Sequence, residues 1–205
     1  RSSDLAMNTL YQRLAGESIS DALLRLEADI KTRPADADLR AAFVQFLILS
    51  GNWARALTQL KSWLALKPQA KPTVTLLEQA IQGEQQRARV FAGEVRPAMP
   101  EAQWPWLTTL AQALTESAGN AQTLRLAALE QAPASRGQVT LENEESHTFE
   151  WLMDGDARLG PVCETLVNGR YFWVPFCAID AIRFQAPASV TDLVWRHALD
   201  RKSVV

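Results

Sequence analysis

Histidine and cysteine are scarce in this chain of 205 residues, which has only two of each: His147, His197, Cys163 and Cys177. The histidines stand alone and the cysteines lack Cys-x-x-Cys spacing, so no zinc-site or thiol-redox pattern is recognisable. We therefore predict no metal and no cofactor, and expect both cysteines to be core thiols. Because no signal peptide is recognisable, a reducing, cytoplasmic location is expected.

Strong charge of either sign and long apolar runs are also lacking. The chain has 21 Lys and Arg against 23 Asp and Glu, a formal net charge of −2. This balance argues against a general partner role with nucleic acid or anionic membranes. The most apolar stretch, residues 43–49, is far shorter than the roughly 18 residues of a membrane span. A soluble protein is expected.

Residues 4–132 predict successive helices, because their apolar residues recur at helical spacing. The clearest stripes are Ile19, Ala22, Leu23, Leu26 and Ile30, then Leu39, Ala42, Phe43, Phe46 and Leu47, then Trp53, Ala56, Leu57, Leu60 and Leu64. Further helices are predicted over residues 73–91, 106–116 and 121–131. Gly51 and a turn at Gly119-Asn120 should separate neighbouring helices.

An internal repeat is visible in the first half of the chain. Three residues recur after 34 positions: Ala22, Leu26 and Pro34 correspond to Ala56, Leu60 and Pro68. Thirty-four residues is the period of tetratricopeptide (TPR) repeats, in which helix pairs stack to bury their apolar faces. A helical hairpin bundle with coincidental spacing is the alternative. Either interpretation gives an α-helical scaffold.

The pattern changes from Gly137 onward, where strands are predicted over residues 147–152, 162–167, 170–176 and 179–185. Asn168-Gly169 is typical of a type I′ hairpin turn between the second and third of these. Ser189 or Thr191 is available to cap a short helix over residues 190–199. The predicted fold class is therefore α+β: an α-helical TPR-like scaffold over residues 1–135, then a small, mainly antiparallel β domain with a C-terminal helix over 136–205.

Few residues in this sequence suggest catalysis or metal binding. The group that suggests it most is Asp154, Asp156 and Arg158, with Glu164 downstream. The spacing of these residues does not fit an EF-hand cation site, because Arg158 occupies a ligand position and the glutamate comes one residue early. A polar turn in which Arg158 pairs with a carboxylate is the favoured interpretation. A carboxylate-dependent hydrolase using Asp154, Asp156 and Glu164 is the alternative.

Tyr171 and Trp173 share one face of a predicted strand. That face is either packed against other elements or exposed as an anchor for a partner.

Three segments of the β region are distinctive: residues 149–161 (Phe-Glu-Trp-Leu-Met-Asp-Gly-Asp-Ala-Arg-Leu-Gly-Pro), 169–176 (Gly-Arg-Tyr-Phe-Trp-Val-Pro-Phe) and 192–195 (Asp-Leu-Val-Trp). These segments closely resemble the ImpE/TagJ family, accessory proteins of bacterial type VI secretion. The helical half matches at residues 14–16, 33–34, 40, 51–53, 55–56, 59–60 and 87–93. Two features depart from the family: members continue beyond Trp195, which suggests a truncated or short version, and Cys163 falls where the family fixes no residue.

The resemblance implies a non-enzymatic cytoplasmic adaptor. Its expected partner is the small subunit of the contractile sheath, bound through that subunit's N-terminal helical segment. In some systems such proteins link the sheath to the AAA+ ATPase that disassembles it. A TPR-like scaffold for a different protein partner is the alternative.

Candidate partner-binding residues flank the apolar stripes of the second and third helices or lie on the aromatic strand: Gln45, Arg55, Gln59, Trp63, Tyr171 and Trp173. Trp63 either fills a gap in the bundle or projects as an anchor. A structural role is expected for the family-motif residues Asp154, Asp156, Arg158, Gly160, Pro161 and Trp195.

Overall fold

The computed structural model describes residues 16–202, and six α-helices precede six strands in that part of the chain. The helices are α1 (Ile19–Thr32), α2 (Ala37–Leu49), α3 (Trp53–Leu66), α4 (Lys71–Phe91), α5 (Trp106–Gln112) and α6 (Ala118–Gln131). The strands are β1 (Gly137–Thr140), β2 (Ser146–Phe149), β3 (Val162–Val167), β4 (Arg170–Pro175), β5 (Ile179–Phe184) and β6 (Ala198–Lys202). The α+β class is confirmed. None of the helices described is long and apolar enough to cross a membrane.

Local capping explains where the first helices begin and end. The side chain of Asp36 accepts hydrogen bonds from the backbone N–H groups of Asp38 and Leu39 at the start of α2. Asn52 caps α3 by accepting from the N–H of Arg55. Gly51, with φ at +69°, adopts the left-handed conformation that ends α2. Residues 4–15, which are predicted to be helical and include the motif residues Leu14 and Ala15, lie outside the described part of the chain.

Two predictions of local structure are wrong. Gly119 and Asn120 lie in the first turn of α6, not in a loop before it. The helix predicted over residues 190–199 is a single 3-10 turn, Val190–Leu193, and β6 begins at Ala198. Ser189 and Asp192 do form a capping box, but residues 198–202 pair with β5, a distant partner that the local signals do not reveal.

The chain forms two compact units. The first contains the described residues up to Ile81 together with Arg183–Leu199, and the second contains Gln82–Ile182 and continues from Asp200. The boundary predicted near residue 135 follows the change from helix to strand. That boundary stays a prediction.

The first unit is built around helices α1 to α3 and the first part of α4. The four equivalent repeat positions Ala22, Leu26, Ala56 and Leu60 are all buried in one apolar core. The TPR-like interpretation stays a prediction. Trp195 packs against the same core and stacks on Trp53, with ring centroids 5.7 Å apart.

The second unit contains the β3–β4 hairpin, which pairs antiparallel from Val162↔Pro175 to Val167↔Arg170. Asn168 and Gly169 have φ angles of +50° and +77°, as the predicted type I′ turn requires. The remaining strands form the two-stranded sheets β1–β2, which is antiparallel, and β5–β6.

Gly83 on α4 is a position of close approach. A Cβ atom there would lie 2.5 Å from Cδ2 of Leu166 on β3. The glycine therefore lets the strand lie against the helix, at some cost in helix propensity.

The outer edge of β4 is closed by two neighbouring residues and by a proline of the strand itself. The N–H of Tyr171 donates to Oε1 of Gln86 at 2.9 Å, and the N–H of Trp173 donates to the carbonyl of Ala98 at 2.9 Å. The next residue of the same parity is Pro175, which has no N–H. A further strand therefore finds no free donor along this edge.

Candidate functional site

Glu164 on β3 is the centre of a polar network within the second unit. Arg87 on α4 donates to both carboxylate oxygens of Glu164, through Nε at 2.6 Å and Nη2 at 3.2 Å. The hydroxyl of Tyr171 donates to the same carboxylate. Nε1 of Trp173 in turn donates to the Tyr171 hydroxyl at 2.8 Å. One carboxylate thus joins α4 to both strands of the β3–β4 hairpin.

Tyr171 and Trp173 are buried, with 2% and 0% of their surface exposed. This corrects the expectation that they form a partner surface, because neither ring reaches solvent. Burial, together with the hydrogen bond to Glu164, raises the pKa of Tyr171 far above its ordinary value. The hydroxyl therefore stays protonated and keeps donating to the carboxylate across the physiological range.

A second part of the network surrounds Phe91 at the end of α4. The guanidinium carbons of Arg87 and Arg158 lie 4.7 and 4.3 Å from the centre of its ring. Such contacts are favourable because the ring face is electron-rich. In the sequence, the only signal for these contacts is the spacing of four residues between Arg87 and Phe91 on one helix.

The segment from Asp154 to Pro161 is an ordered turn. Arg158 donates to both oxygens of Asp156, with Nη2 to Oδ2 at 2.6 Å. This hydrogen bonding, followed by the backbone N–H of Arg158, lowers the pKa of Asp156 to about 2. Gly160, at φ +56°, and the buried Pro161 lead into β3.

The three carboxylates of the hydrolase alternative are all engaged in this structure. Oδ1 of Asp154 accepts from the N–H of Asp156, Asp156 pairs with Arg158, and Glu164 pairs with Arg87. Within residues 16–202 no group of three or more His, Cys, Asp or Glu side chains is placed to hold a metal ion. What the carboxylates visibly do is hold backbone segments and cationic side chains in place.

The remaining candidates lie in the first unit, on α2 and α3. Trp63 is buried and belongs to the apolar core, so it fills the bundle. Arg55 is exposed, pairs with Glu27 of α1 at 2.8 Å and lies over the ring of Phe43. Gln59 is half-buried and accepts from Arg40 at 2.7 Å; Gln45, the remaining candidate, is also half-buried.

Arg55 and Gln59 are part of a longer stripe of exposed and half-buried residues on α3. They are followed at helical spacing by Ser62 and Leu66, and Leu66 is exposed. On α1, Leu24 is exposed one turn before Glu27, the residue that pairs with Arg55. We call these side chains, Leu24, Glu27, Arg55, Gln59 and Leu66, the α1–α3 surface. It combines two apolar residues with polar ones, as a protein-binding surface does.

The second unit also has an open cleft of about 800 Å³. Its walls are the Pro-rich segment 96–101 and β4, with Met99, Trp104 and Phe172 among the lining side chains. Arg96 and Arg170 stand at this cleft.

These features define the class of the protein. It is an α+β scaffold in which polar clusters join secondary-structure elements and surfaces of mixed apolar and polar residues are exposed. Residues 146–200 match the model of the ImpE protein family. The resemblance to the ImpE/TagJ family is thereby confirmed.

The chain is also 39% identical, over 184 residues, to the type VI secretion system accessory component TagJ of Pseudomonas aeruginosa. The match covers 88% of this chain and 64% of that protein, so the chain spans slightly less than two thirds of its relative's length. The crystal structure of protein VPA1032 from Vibrio parahaemolyticus matches with a TM-score of 0.79 and 26% identity, covering 90% of this chain and 70% of that one.

Proposed function

We propose that the protein is a non-enzymatic accessory component of a type VI secretion system and acts as an adaptor in the cytoplasm. The observation that carries this proposal is the 39% identity to the TagJ accessory component across 88% of the chain. The match to the ImpE family model over residues 146–200 supports it independently of the helical half.

The proposed partner is the small subunit of the contractile sheath, held through its N-terminal helical segment. We propose the α1–α3 surface as its docking place, because Leu24 and Leu66 are exposed apolar residues beside polar neighbours. The Arg55–Glu27 ion pair is 42% and 37% exposed on its two side chains. Exchanging so exposed a pair for contacts with a partner costs little, about 1 kcal/mol or less.

The proposed adaptor has a second partner. The bound chain links the sheath to the AAA+ ATPase that disassembles it.

Titration of the purified chain against the purified small sheath subunit tests this function. We expect saturable binding that is lost when the N-terminal helical segment of the subunit is deleted. Arg55→Glu combined with Leu66→Ser should weaken binding at least tenfold. Arg89→Glu is the matched control, because Arg89 is in an exposed ion pair with Glu94 of the second unit.

Each outcome has a separate meaning. Absence of binding by the unaltered chain would contradict the sheath partner. Binding that is unaffected by the α1–α3 variant would retain the partner and reject the docking place. If adding the chain increases the amount of ATPase retained on sheath particles, the proposed link is supported. If the amount does not change, the link is contradicted.

A further inference from the structure

The β1–β2 hairpin is exposed along almost its whole length. All four residues of β1 and three of the four in β2 are exposed, and only Phe149 is half-buried. A two-stranded hairpin of this length is marginally stable in water unless something packs against it. The exposure of this hairpin is therefore a feature that needs a physical explanation.

One face of the hairpin carries its apolar side chains. Val139 and Leu141 alternate with polar residues on the first strand, and both are 45% exposed. The ladder continues beyond β1, because the N–H of Leu141 donates to the carbonyl of Glu145 at 2.8 Å. Residues of the same parity share a face, on which Val139 lies opposite His147 and diagonal to Phe149.

Further exposed apolar residues follow at the base of the hairpin. Trp151 is 65% exposed, and the adjacent Leu152 and Met153 are also exposed. Ser135 fixes this base by a reciprocal pair of hydrogen bonds, donating to the carbonyl of Leu152 at 3.1 Å and accepting from its N–H at 2.9 Å. An exposed tryptophan held on an ordered segment is the kind of residue that dominates binding energy at protein interfaces.

The edges of this hairpin are open, in contrast to the outer edge of β4. In the described chain β1 pairs only with β2, and no side chain or loop closes its other edge. The outer edge of β4 is closed by Gln86, Ala98 and Pro175. The same unit therefore blocks strand addition at one edge and permits it at another.

The charge of the hairpin indicates what kind of segment could pair with β1. Residues 136–150 carry four glutamates, Glu142, Glu144, Glu145 and Glu150, against one arginine, Arg136. Arg136 is already paired with Glu150 at 2.9 Å. The tip of the hairpin is thus acidic, which disfavours a second copy of the same hairpin and favours a basic partner.

We infer that the free edge of β1 is a docking site for an extended, basic segment of a partner protein with alternating apolar residues. The segment adds as a third strand, so its backbone pairs with β1 and its apolar side chains continue the face of Val139 and Leu141. Its Lys or Arg residues lie near Glu142 and Glu144. This inference does not depend on the proposed function.

The probe is the peptide acetyl-Lys-Val-Thr-Val-Lys-Val-Lys-amide, titrated into the full chain at low ionic strength. We expect saturable binding and slower hydrogen exchange of backbone amides in residues 137–141. Glu142→Gln with Glu144→Gln should weaken binding at least fivefold, and so should Val139→Thr with Leu141→Thr. These side chains are exposed, so the variants are expected to fold.

The control variant is Glu116→Gln with Glu130→Gln, two exposed acids elsewhere in the same unit, and it should bind like the unaltered chain. The control peptide has Glu in place of each Lys and should not bind. The inference is overturned if the two peptides bind within twofold of each other, or if protection falls outside residues 137–149. Absence of saturable binding at millimolar peptide overturns it equally.

Discussion

Replacing Glu164 by leucine tests whether the polar network of the second unit stabilises the fold. The substitution keeps a side chain of similar size but removes the only acceptor of the buried Tyr171 hydroxyl among the contacts described. It also leaves Arg87 without its ion-pair partner. The network joins a helix to two strands, so its loss should appear as reduced stability of the whole second unit.

The expected magnitude follows from the burial of each group. Tyr171 is 2% exposed, and a buried hydroxyl that loses its partner costs about 1–3 kcal/mol. The Arg87 side chain is 37% exposed, so solvent screening limits the loss of its ion pair to about 1 kcal/mol. Together the substitution should reduce the free energy of unfolding by about 2–4 kcal/mol. For a chain of this size that lowers the Tm by about 4–16 °C.

Calorimetry and urea unfolding followed by circular dichroism measure this loss. The matched control is Glu94→Leu, which removes an exposed ion pair with Arg89 and should cost less than about 0.5 kcal/mol. Adding Tyr171→Phe to Glu164→Leu should recover part of the loss, with a coupling energy of about 1 kcal/mol or more. A Glu164→Leu protein as stable as the unaltered chain would refute the argument that this network stabilises the fold.

Two further predictions concern the family-motif residues. Asp156→Asn should destabilise the protein at pH 7, and the difference should vanish as the pH falls from about 4 to 2. The reason is that pairing with Arg158 lowers the pKa of Asp156 to about 2, so its contribution exists only above that range; a difference that persists at pH 2 in urea unfolding would contradict the assignment. Trp195→Ala should cost about 1–3 kcal/mol by removing a half-buried ring from Trp53, whereas Trp195→Phe should retain much of the stability. Equal unfolding midpoints for the two Trp195 variants would show that stacking contributes nothing.

Features that depend on neighbours in sequence were predictable. The β3–β4 hairpin is one example, because Asn168-Gly169 sets the turn and the turn sets the register. The helices around Gly51 are another, since capping and apolar spacing act over a few residues.

Features that depend on distant partners were not predictable. Arg87 and Glu164 are 77 residues apart, and neither has a neighbour that signals the ion pair. The helix wrongly predicted over residues 190–199 has a similar cause, because the capped turn ends at Leu193 and the chain pairs with β5 from Ala198 onward. The shared face of Tyr171 and Trp173 followed from strand periodicity, but their burial depended on a core shared with Val90 of α4 and with Trp106 and Leu107 of α5.

The divided first unit has a consequence for how the protein is made. Its N-terminal part ends at Ile81, within α4, yet the residues that finish the unit, including Val194 and Trp195, come more than 100 residues later. At a synthesis rate of about 5–20 residues per second, the ribosome needs roughly 5–20 s to deliver them. During that interval Trp53 lacks the ring that covers it in the finished protein. The nascent chain therefore exposes an apolar surface, and its first helices complete their core only after the second unit has been synthesised.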